Sequence, residues 1–362
     1  MATTKAKPSN ARSRNHKTAR SKSAQKVKKL IDLLRDKQSL LIVMQDNPDP
    51  DSIAAAAALR RIANTAGDVQ CSITYGGVIG RGENKALADY LGLNFRPIEQ
   101  IKFEKFDAIA LVDTQPETGN NSLPYEFRPD IVLDHHPLHP ATRGIAFTDV
   151  RSKYGALSTI LFEYLIEAKM SPDPPLATAL LYAIRTDTRD LGLEAVQADV
   201  RALEALYPLA NARMLSMIQR GPVTALYYQN VAKALKNARV QGPCIFAAMN
   251  GVNNPDIIGE MADMFLRCEE VEWTLCSGVY EGKIWLSLRT SQNKVKANVV
   301  IQKLVSELGT GGGHETSAGG QIALTKDTRQ ERNTIQKAIR DRLLHELGAD
   351  EQRPKNLVEV CR

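Results

Sequence analysis

Leu40-Leu41-Ile42-Val43-Met44-Gln45-Asp46-Asn47-Pro48-Asp49-Pro50-Asp51 is the stretch on which the reading of this chain turns. An apolar strand, Leu40–Met44, runs straight into an acidic loop stiffened by two prolines. The same pattern recurs at Ile109-Ala110-Leu111-Val112-Asp113 and at Ile131-Val132-Leu133-Asp134-His135-His136. A fourth acidic end, Thr186-Asp187-Thr188, follows an apolar, helix-like run. A carboxylate at the end of a buried segment is costly unless something compensates its charge. Four such ends converging on one edge suggest a metal site.

Working outward, strands alternate with helices, which argues for an α/β fold built on a doubly wound, mainly parallel sheet. Residues 25–36 have helical spacing, residues 52–65 form an Ala-rich helix, Val69–Tyr75 reads as a strand and Glu83–Leu91 as a short helix. Asp107–Val112 and Ile131–Leu133 are short, mostly apolar runs, as expected of parallel strands buried on both faces. Helices are expected over 155–170, 175–185 and Ala198–Leu209, with a connecting helix from Thr224 to Arg239. In sheets of this kind, sites form beyond the carboxyl ends of the strands. That is where most of the acidic residues fall.

A second, smaller α/β unit begins near Pro243: strand Cys244–Met249, helix Ile257–Arg267, strand Val271–Tyr280, a turn at Glu281-Gly282 and strand Lys283–Arg289. A helix over Ala297–Leu308 leads into a glycine-rich loop, Gly309–Gly320, and residues 328–347 form a charged helix. The expected organisation is a basic disordered tail over 1–28, a first domain over 29–215, a linker helix within 216–242, a second domain over 243–347 and a polar tail over 348–362.

At 362 residues the chain is long enough for two cores. Its 43% hydrophobic and 24% charged content is that of an ordinary soluble globular protein, and no apolar run approaches a membrane span. The five cysteines, Cys71, Cys244, Cys268, Cys276 and Cys361, are scattered, so they read as reduced thiols of a cytoplasmic protein. The net charge of +6 belongs to the tail: residues 1–29 carry ten basic residues and no acid, and the remainder carries 37 basic against 41 acidic residues. Disorder is the default expectation for such a segment. RNA contact through phosphates is the functional reading, and a solubilising tail is the plain alternative.

Asp49 and Asp51 lie two residues apart, and in an extended segment both would point to one side. Alone, the pair would suit a solvated turn, and Asp51 could cap the helix that follows. Asp113 alone is equally ambiguous, since aspartates favour turns. Asp134-His135-His136 says more, because imidazole and carboxylate together suit Mn²⁺ or a related divalent ion.

The ordered set NPDPDS, VDT, DHH and TDT resembles the DHH phosphoesterase family. Gly311-Gly312-Gly313-His314 followed by Ser317-Ala318-Gly319-Gly320 is similar to the DHH-associated (DHHA1) substrate-binding domain, and the likeness covers roughly residues 38–325. It implies two domains with the active site in the cleft between them, and relatives among oligoribonuclease-type enzymes that degrade very short RNAs, cyclic-dinucleotide phosphodiesterases and RecJ-type exonucleases. The DHH inorganic pyrophosphatases carry a different second domain, so the glycine motif argues against that activity.

Carried over, the resemblance implies two Mn²⁺ ions, one on Asp49 and the other on Asp51, bridged by Asp113, with His135 and Asp187 completing the second. Asp134 would orient that cluster, and His136 would face the scissile phosphate. The reaction implied is in-line attack of an activated water on phosphorus. One departure stands out: the family usually has a histidine four residues before its first aspartate, and here that position is Gln45. A neutral amide oxygen is a poorer ligand, so the first metal site is expected to be weak.

In the second domain, Arg289 in Ser287-Leu288-Arg289-Thr290-Ser291 is similar to the family's substrate-binding strand, and its guanidinium suits phosphate. The glycines of Gly311-Gly312-Gly313 would let backbone N–H groups approach a phosphate, with His314 adding a hydrogen bond. A tight turn would account for the glycines alone, and a surface charge for Arg289 alone. The resulting expectation is a Mn²⁺-dependent phosphodiesterase that cuts short oligonucleotides to mononucleotides. Cyclic-dinucleotide hydrolysis and a nucleotide- or nucleic-acid-binding protein with impaired catalysis are the alternatives. A homodimer is compatible with the sequence, which does not fix the oligomeric state.

Overall fold

The computed structural model describes residues 10–192, 195–292, 294–349 and 353–358, with side chains from residue 22 onward. Two compact units divide between Pro222 and Val223.

In the first unit, strands β1 (Ser39–Met44), β2 (Gln70–Tyr75), β3 (Phe95–Pro97), β4 (Ala108–Val112), β5 (Ile131–Asp134) and β6 (Phe147–Val150) form one sheet in the order β3-β2-β1-β4-β5-β6. Every neighbouring pair is parallel. The order reverses between β1 and β4, so the crevice beyond their carboxyl ends is the natural place for a site. Leu40 to Met44 are all fully buried, each worth roughly 1.5–3 kcal/mol of transfer free energy. Alternate residues serve two cores. Leu40, Ile42 and Met44 pack with α1 (Asn10–Leu34), α2 (Pro50–Gly67), α3 (Gly82–Tyr90), α4 (Leu157–Glu167), α5 (Pro174–Asp187), α6 (Gln197–Leu206) and α7 (Ala212–Gln219). Leu41 and Val43 face Ile98, Phe103 and Phe127, which belong to the connections on the other side.

The basic tail is the main correction here. Disorder was the expectation for residues 1–28, yet from Asn10 the chain is helical; residues 1–9 lie outside the described part. Val27, Leu30 and Leu34 are buried in the main core, Ser23 Oγ donates to Glu163 (2.6 Å), and Lys26 reaches the Thr148 carbonyl. The apolar stripe of the helix continues to dock where composition alone reads as unstructured.

The second unit is a mixed sheet of seven strands, ordered β11-β12-β10-β9-β8-β7-β13. Helix α8 (Ala225–Asn237) precedes β7 (Arg239–Gln241), β8 (Cys244–Gly251), α9 (Asp256–Phe265), β9 (Trp273–Tyr280) and β10 (Lys283–Thr290). Then come α10 (Ala297–Val305), β11 (Thr310–Gly313), β12 (Ser317–Ala323), α11 (Arg329–Glu346) and β13 (Lys355–Asn356). The β8–β9 pair is parallel and the other pairs are antiparallel. Helices α8 and α9 cover one face of the sheet, α10 and α11 the other.

Three expectations change. The helix read as a linker, α8, packs into the second core through Val231, Ala234 and Leu235. The glycine-rich loop is a strand pair: Gly311, Gly312 and Gly313 lie in β11, opposite Gly320, Gly319 and Ala318 of β12. The polar tail contributes β13, which extends the sheet edge beside β7; residues 350–352 and 359–362 lie outside the described part.

Candidate metal centre

The loop after β1 is fixed before any ligand is considered. Asp46 accepts hydrogen bonds from the Gly76 amide (3.1 Å) and Ser122 Oγ (2.8 Å), and Asn47 Oδ1 accepts from the Val78 amide (3.0 Å). Asn47 takes a left-handed conformation (φ 55°), which asparagine tolerates better than most residues. These two side chains shape the turn that delivers Asp49 and Asp51.

Those two aspartates differ in role more than their spacing suggested. Asp49 is the N-cap of α2: it is extended, and its Oδ1 accepts from the Ser52 amide (2.9 Å). Asp51 lies inside the first turn of α2, not in an extended segment. Its two oxygens accept from the Leu157 amide (2.6 Å) and the Ser158 amide (2.8 Å), the first residues of α4. Asp51 therefore caps a distant helix, one whose own N-cap, Ala156, has no side chain to offer. The helix following Asp51 is capped by Asp49 instead.

Asp113 ends β4 in a left-handed turn (φ 62°), and its Oδ1 is buried and accepts no hydrogen bond among the described residues. His135 Nδ1 lies 3.2 Å from the Tyr154 carbonyl, which turns Nε2 toward the carboxylates. Nε2 is 3.3 Å from Asp187 Oδ2, 3.5 Å from Asp113 Oδ1 and 3.8 Å from Asp51 Oδ2. His136 Nδ1 is 3.7 Å from Asp113 Oδ1 and 2.8 Å from Asp134 Oδ1. Asp134 Oδ1 also accepts from the His135 amide (2.7 Å) and the His136 amide (3.2 Å), closing the loop over itself. Two sets can grip a cation: Asp113, His135 and His136, and Asp51, His135 and Asp187.

The electrostatics of the carboxylates point the same way. Burial and the Asp187 charge push the Asp51 carboxyl up to about 7. Burial, then the charges of Asp49 and Asp51, raise Asp113 well above the usual carboxylate range. Asp49 is raised by burial and by Asp187. His135 rises to about 10: its burial opposes protonation, but the Asp187 hydrogen bond and charge overcome it. Asp134 moves the other way: burial would raise it, but the hydrogen bond from His136 keeps it below its ordinary value. Three carboxylates, Asp49, Asp51 and Asp113, that resist ionising together, with an oxygen lacking a hydrogen-bond partner among the described residues, are the surroundings a divalent cation relieves. The donor set of carboxylates and imidazoles suits Mn²⁺ and related ions.

Sequence reasoning missed the residues that hold this cluster in place. Gln115 is fully buried and uses four hydrogen bonds: Nε2 donates to Asp134 Oδ2 (2.6 Å) and the Pro137 carbonyl (3.0 Å), and Oε1 accepts from the His139 amide (2.7 Å) and Thr142 Oγ1 (3.0 Å). Its place two residues after Asp113 was the only available signal. Gln115→Leu is expected to weaken Mn²⁺ affinity about tenfold, because a partner of a ligand-bearing loop is lost. It should also lower stability by about 1–3 kcal/mol, since the buried Asp134 oxygen and His139 amide lose their partner. Calorimetric Mn²⁺ titration and thermal melts read both, and unchanged affinity would remove Gln115 from this role. Asp199, also fully buried, clamps the segment after β6 by accepting from the Gly155 amide (3.1 Å) and Thr159 Oγ1 (2.6 Å).

In the second unit, Arg289 is nearly buried and already engaged: Nε donates to Asp263 (2.6 Å) and Nη1 to Ser287 Oγ (2.7 Å). It is a fixed guanidinium, not a surface charge. A side chain at Gly313 (φ 140°) would meet the Ser317 carbonyl oxygen at 2.5 Å, and one at Gly311 would press on Val305 at 3.1 Å. A side chain at Gly312 would meet nothing within 4 Å, so packing does not account for that glycine. His314 donates its amide to the Ser317 carbonyl (2.7 Å) and accepts from the Asn298 amide (3.2 Å), which secures the end of β11 against α10.

With this geometry in view, the chain matches the family model "DHH family, N-terminal domain" over residues 39–184 and the "DHHA1 domain" model over residues 241–343. The chain carries a DHH domain followed by a DHHA1 domain. An uncharacterized protein of Methanocaldococcus jannaschii is 34% identical over 323 residues, covering 87% of this chain and 66% of that relative. Among solved structures, an exopolyphosphatase-related protein from Bacteroides fragilis superposes with a TM-score of 0.68 at 13% identity, over 89% of this chain and 98% of that one. RecJ from Thermus thermophilus in complex with Mn²⁺ follows with a TM-score of 0.50 at 15% identity, over 91% and 60%. At these identities the structural likeness speaks for the fold. Within the DHH domain, Asp49, Asp51, Asp113, Asp134, His135 and His136 lie inside the matched span, and Asp187 falls three residues beyond it.

Proposed function

We propose that this DHH protein is a Mn²⁺-dependent phosphodiesterase that hydrolyses short oligonucleotides to mononucleotides. The observation that carries the reading is the buried Oδ1 of Asp113, which accepts no hydrogen bond among the described residues and is set between His135 and His136 among carboxylates whose ionisation burial opposes. Asp51, Asp113, His135 and Asp187 would hold one ion, and Asp49 with Asp113 a second. A bound divalent cation would supply Lewis acidity at phosphorus and a water acidic enough to attack it.

The protein's own groups do the positioning. The Tyr154 carbonyl orients the His135 ring, so Nε2 is the nitrogen turned toward the carboxylates. Asp134 accepts from His136 Nδ1, which orients the ring, and His136 would face the scissile phosphate. The Arg289 guanidinium, aimed by Asp263, and the open backbone at Gly312 suit a phosphate.

The first ion would be the weaker one. Gln45 stands where the family usually has histidine, and Asp49 already uses one oxygen to cap α2. The test is a time course with the dinucleotide pApA and Mn²⁺, following AMP by chromatography, with Asp187→Ala as control and Mn²⁺ stoichiometry measured in parallel. AMP release that the control lacks is the expected result. No release despite bound Mn²⁺ would reject the linear dinucleotide as substrate, and no Mn²⁺ binding would reject the metal centre itself.

A further inference from the structure

On the sheet face covered by α10 and α11, the second unit holds a cavity of about 230 Å³. Its floor is apolar: Phe246 of β8, Leu275 of β9 and Leu286 of β10. The strand register puts these on one face, with Phe246 opposite Leu275 and Leu286 opposite Ser277 two residues further on.

What faces that floor is unusual for a helix packed on a sheet. Near its C-terminal end α11 buries Ile339, Leu343 and Leu344, as a core helix should. In its middle turns the residues over the floor are Gln336, Lys337 and Arg340. Gln336 Nε2 donates to Ser277 Oγ (3.2 Å), tying these turns to the sheet. Arg239, at the start of β7, closes the edge, with Nη1 donating to the Lys236 (3.1 Å) and Ala238 (3.0 Å) carbonyls. Three cations therefore line the cavity, and no carboxylate does. Among the described residues Arg340 pairs with its neighbour Asp341 (3.0 Å), which lies outside the lining.

We propose that this cavity binds a small phosphate monoester carried on an aromatic or apolar ring, a nucleoside monophosphate being the simplest form. The ring would lie on Phe246, Leu275 and Leu286, and the phosphate dianion among Arg239, Lys337 and Arg340. The volume is below the roughly 300–1,000 Å³ of a typical drug-sized pocket, which suits one ring and one phosphate and excludes a dinucleotide. The site is separate from the Arg289 group: Arg289 bonds Ser287 and α9 on the opposite face of the same strand. It stands independently of the reaction proposed for the metal centre.

The test is calorimetric titration of the full-length chain with AMP in EDTA and low salt, beside adenosine and inorganic phosphate as separate probes. The variants are Lys337→Glu, at an exposed position, and Ala248→Trp, which fills the cavity from its lining. The expected result is one AMP per chain, with both simpler probes weaker, and affinity reduced about tenfold or more by Lys337→Glu and abolished by Ala248→Trp. If Ala248→Trp does not fold, Lys337→Glu alone decides. The proposal is overturned if AMP does not bind at millimolar concentration, if Lys337→Glu binds it as wild type does, or if inorganic phosphate binds as tightly as AMP.

Discussion

Asp113→Asn should abolish Mn²⁺-dependent hydrolysis of pApA and weaken Mn²⁺ binding by at least about a hundredfold, since even partners behind the ligands are worth 10–100-fold. The same substitution should make the metal-free protein more stable. Asp113 is buried among Asp49, Asp51, Asp134 and Asp187, and its raised pKa records how unwelcome a charge is there. An amide of the same shape removes that repulsion, so the melting temperature in EDTA should rise as function falls. Burial raises Asp51 to about 7, and Asp187 helps bring His135 to about 10, so the metal-free folded state binds more protons than the unfolded chain. Stability without metal is then greatest at low pH, and declines as pH rises through 7 and on toward 10. Saturating Mn²⁺ should flatten that decline, because it replaces the protons. An Asn variant that binds Mn²⁺ like wild type would remove Asp113 from the centre.

Arg151→Met should cost about 3–5 kcal/mol of folding free energy, the usual penalty for breaking a buried ion pair from one side. Arg151 is buried, with Nη2 2.6 Å from Asp149 Oδ2 and Nη1 2.8 Å from Glu163 Oε2. Asp149 is equally buried, and it also accepts from the Tyr164 hydroxyl (2.7 Å), so it cannot turn to solvent when its partner goes. Replacing Asp149 and Arg151 together by apolar residues should be far less damaging than the single change. Denaturant unfolding of the three proteins makes the comparison, and a loss below about 1 kcal/mol for the single variant contradicts it. Arg151 also begins the segment that carries the Tyr154 carbonyl and the Leu157 and Ser158 amides, so Mn²⁺ affinity should drop with stability.

Much of this architecture was legible because its signals are local. Apolar runs ending in Asp113 or in Asp134-His135-His136 announce both a buried parallel strand and what stands at its tip, and the structure brings these residues to the switch between β1 and β4. What the sequence hid depends on pairings far along the chain. The Asp49 and Asp51 spacing suggested an extended pair, but one caps α2 and the other reaches across to α4. The apolar stripe of Val27, Leu30 and Leu34 was legible over residues 25–36, but basic composition hid the continuation of α1 back to Asn10. The Gly309–Gly320 run read as a loop because glycine disfavours strands; its pairing with β12 is a tertiary fact. Gln115 gives no signal of its own in a single sequence.

The reach of Asp51 has a consequence for how the protein is made. Its partners lie 106 and 107 residues downstream, and Asp187, which faces His135, comes later still. A ribosome has therefore delivered all of β1 through β6 before a cation can find a complete set of ligands. Until then the acids at the strand tips lack the α4 amides and the Asp187 carboxylate that complete the cluster. A bound ion would act as a clasp, joining the loop after β1 to the end of α5. A chelator should accordingly slow the final step of folding and leave the formation of the early sheet untouched.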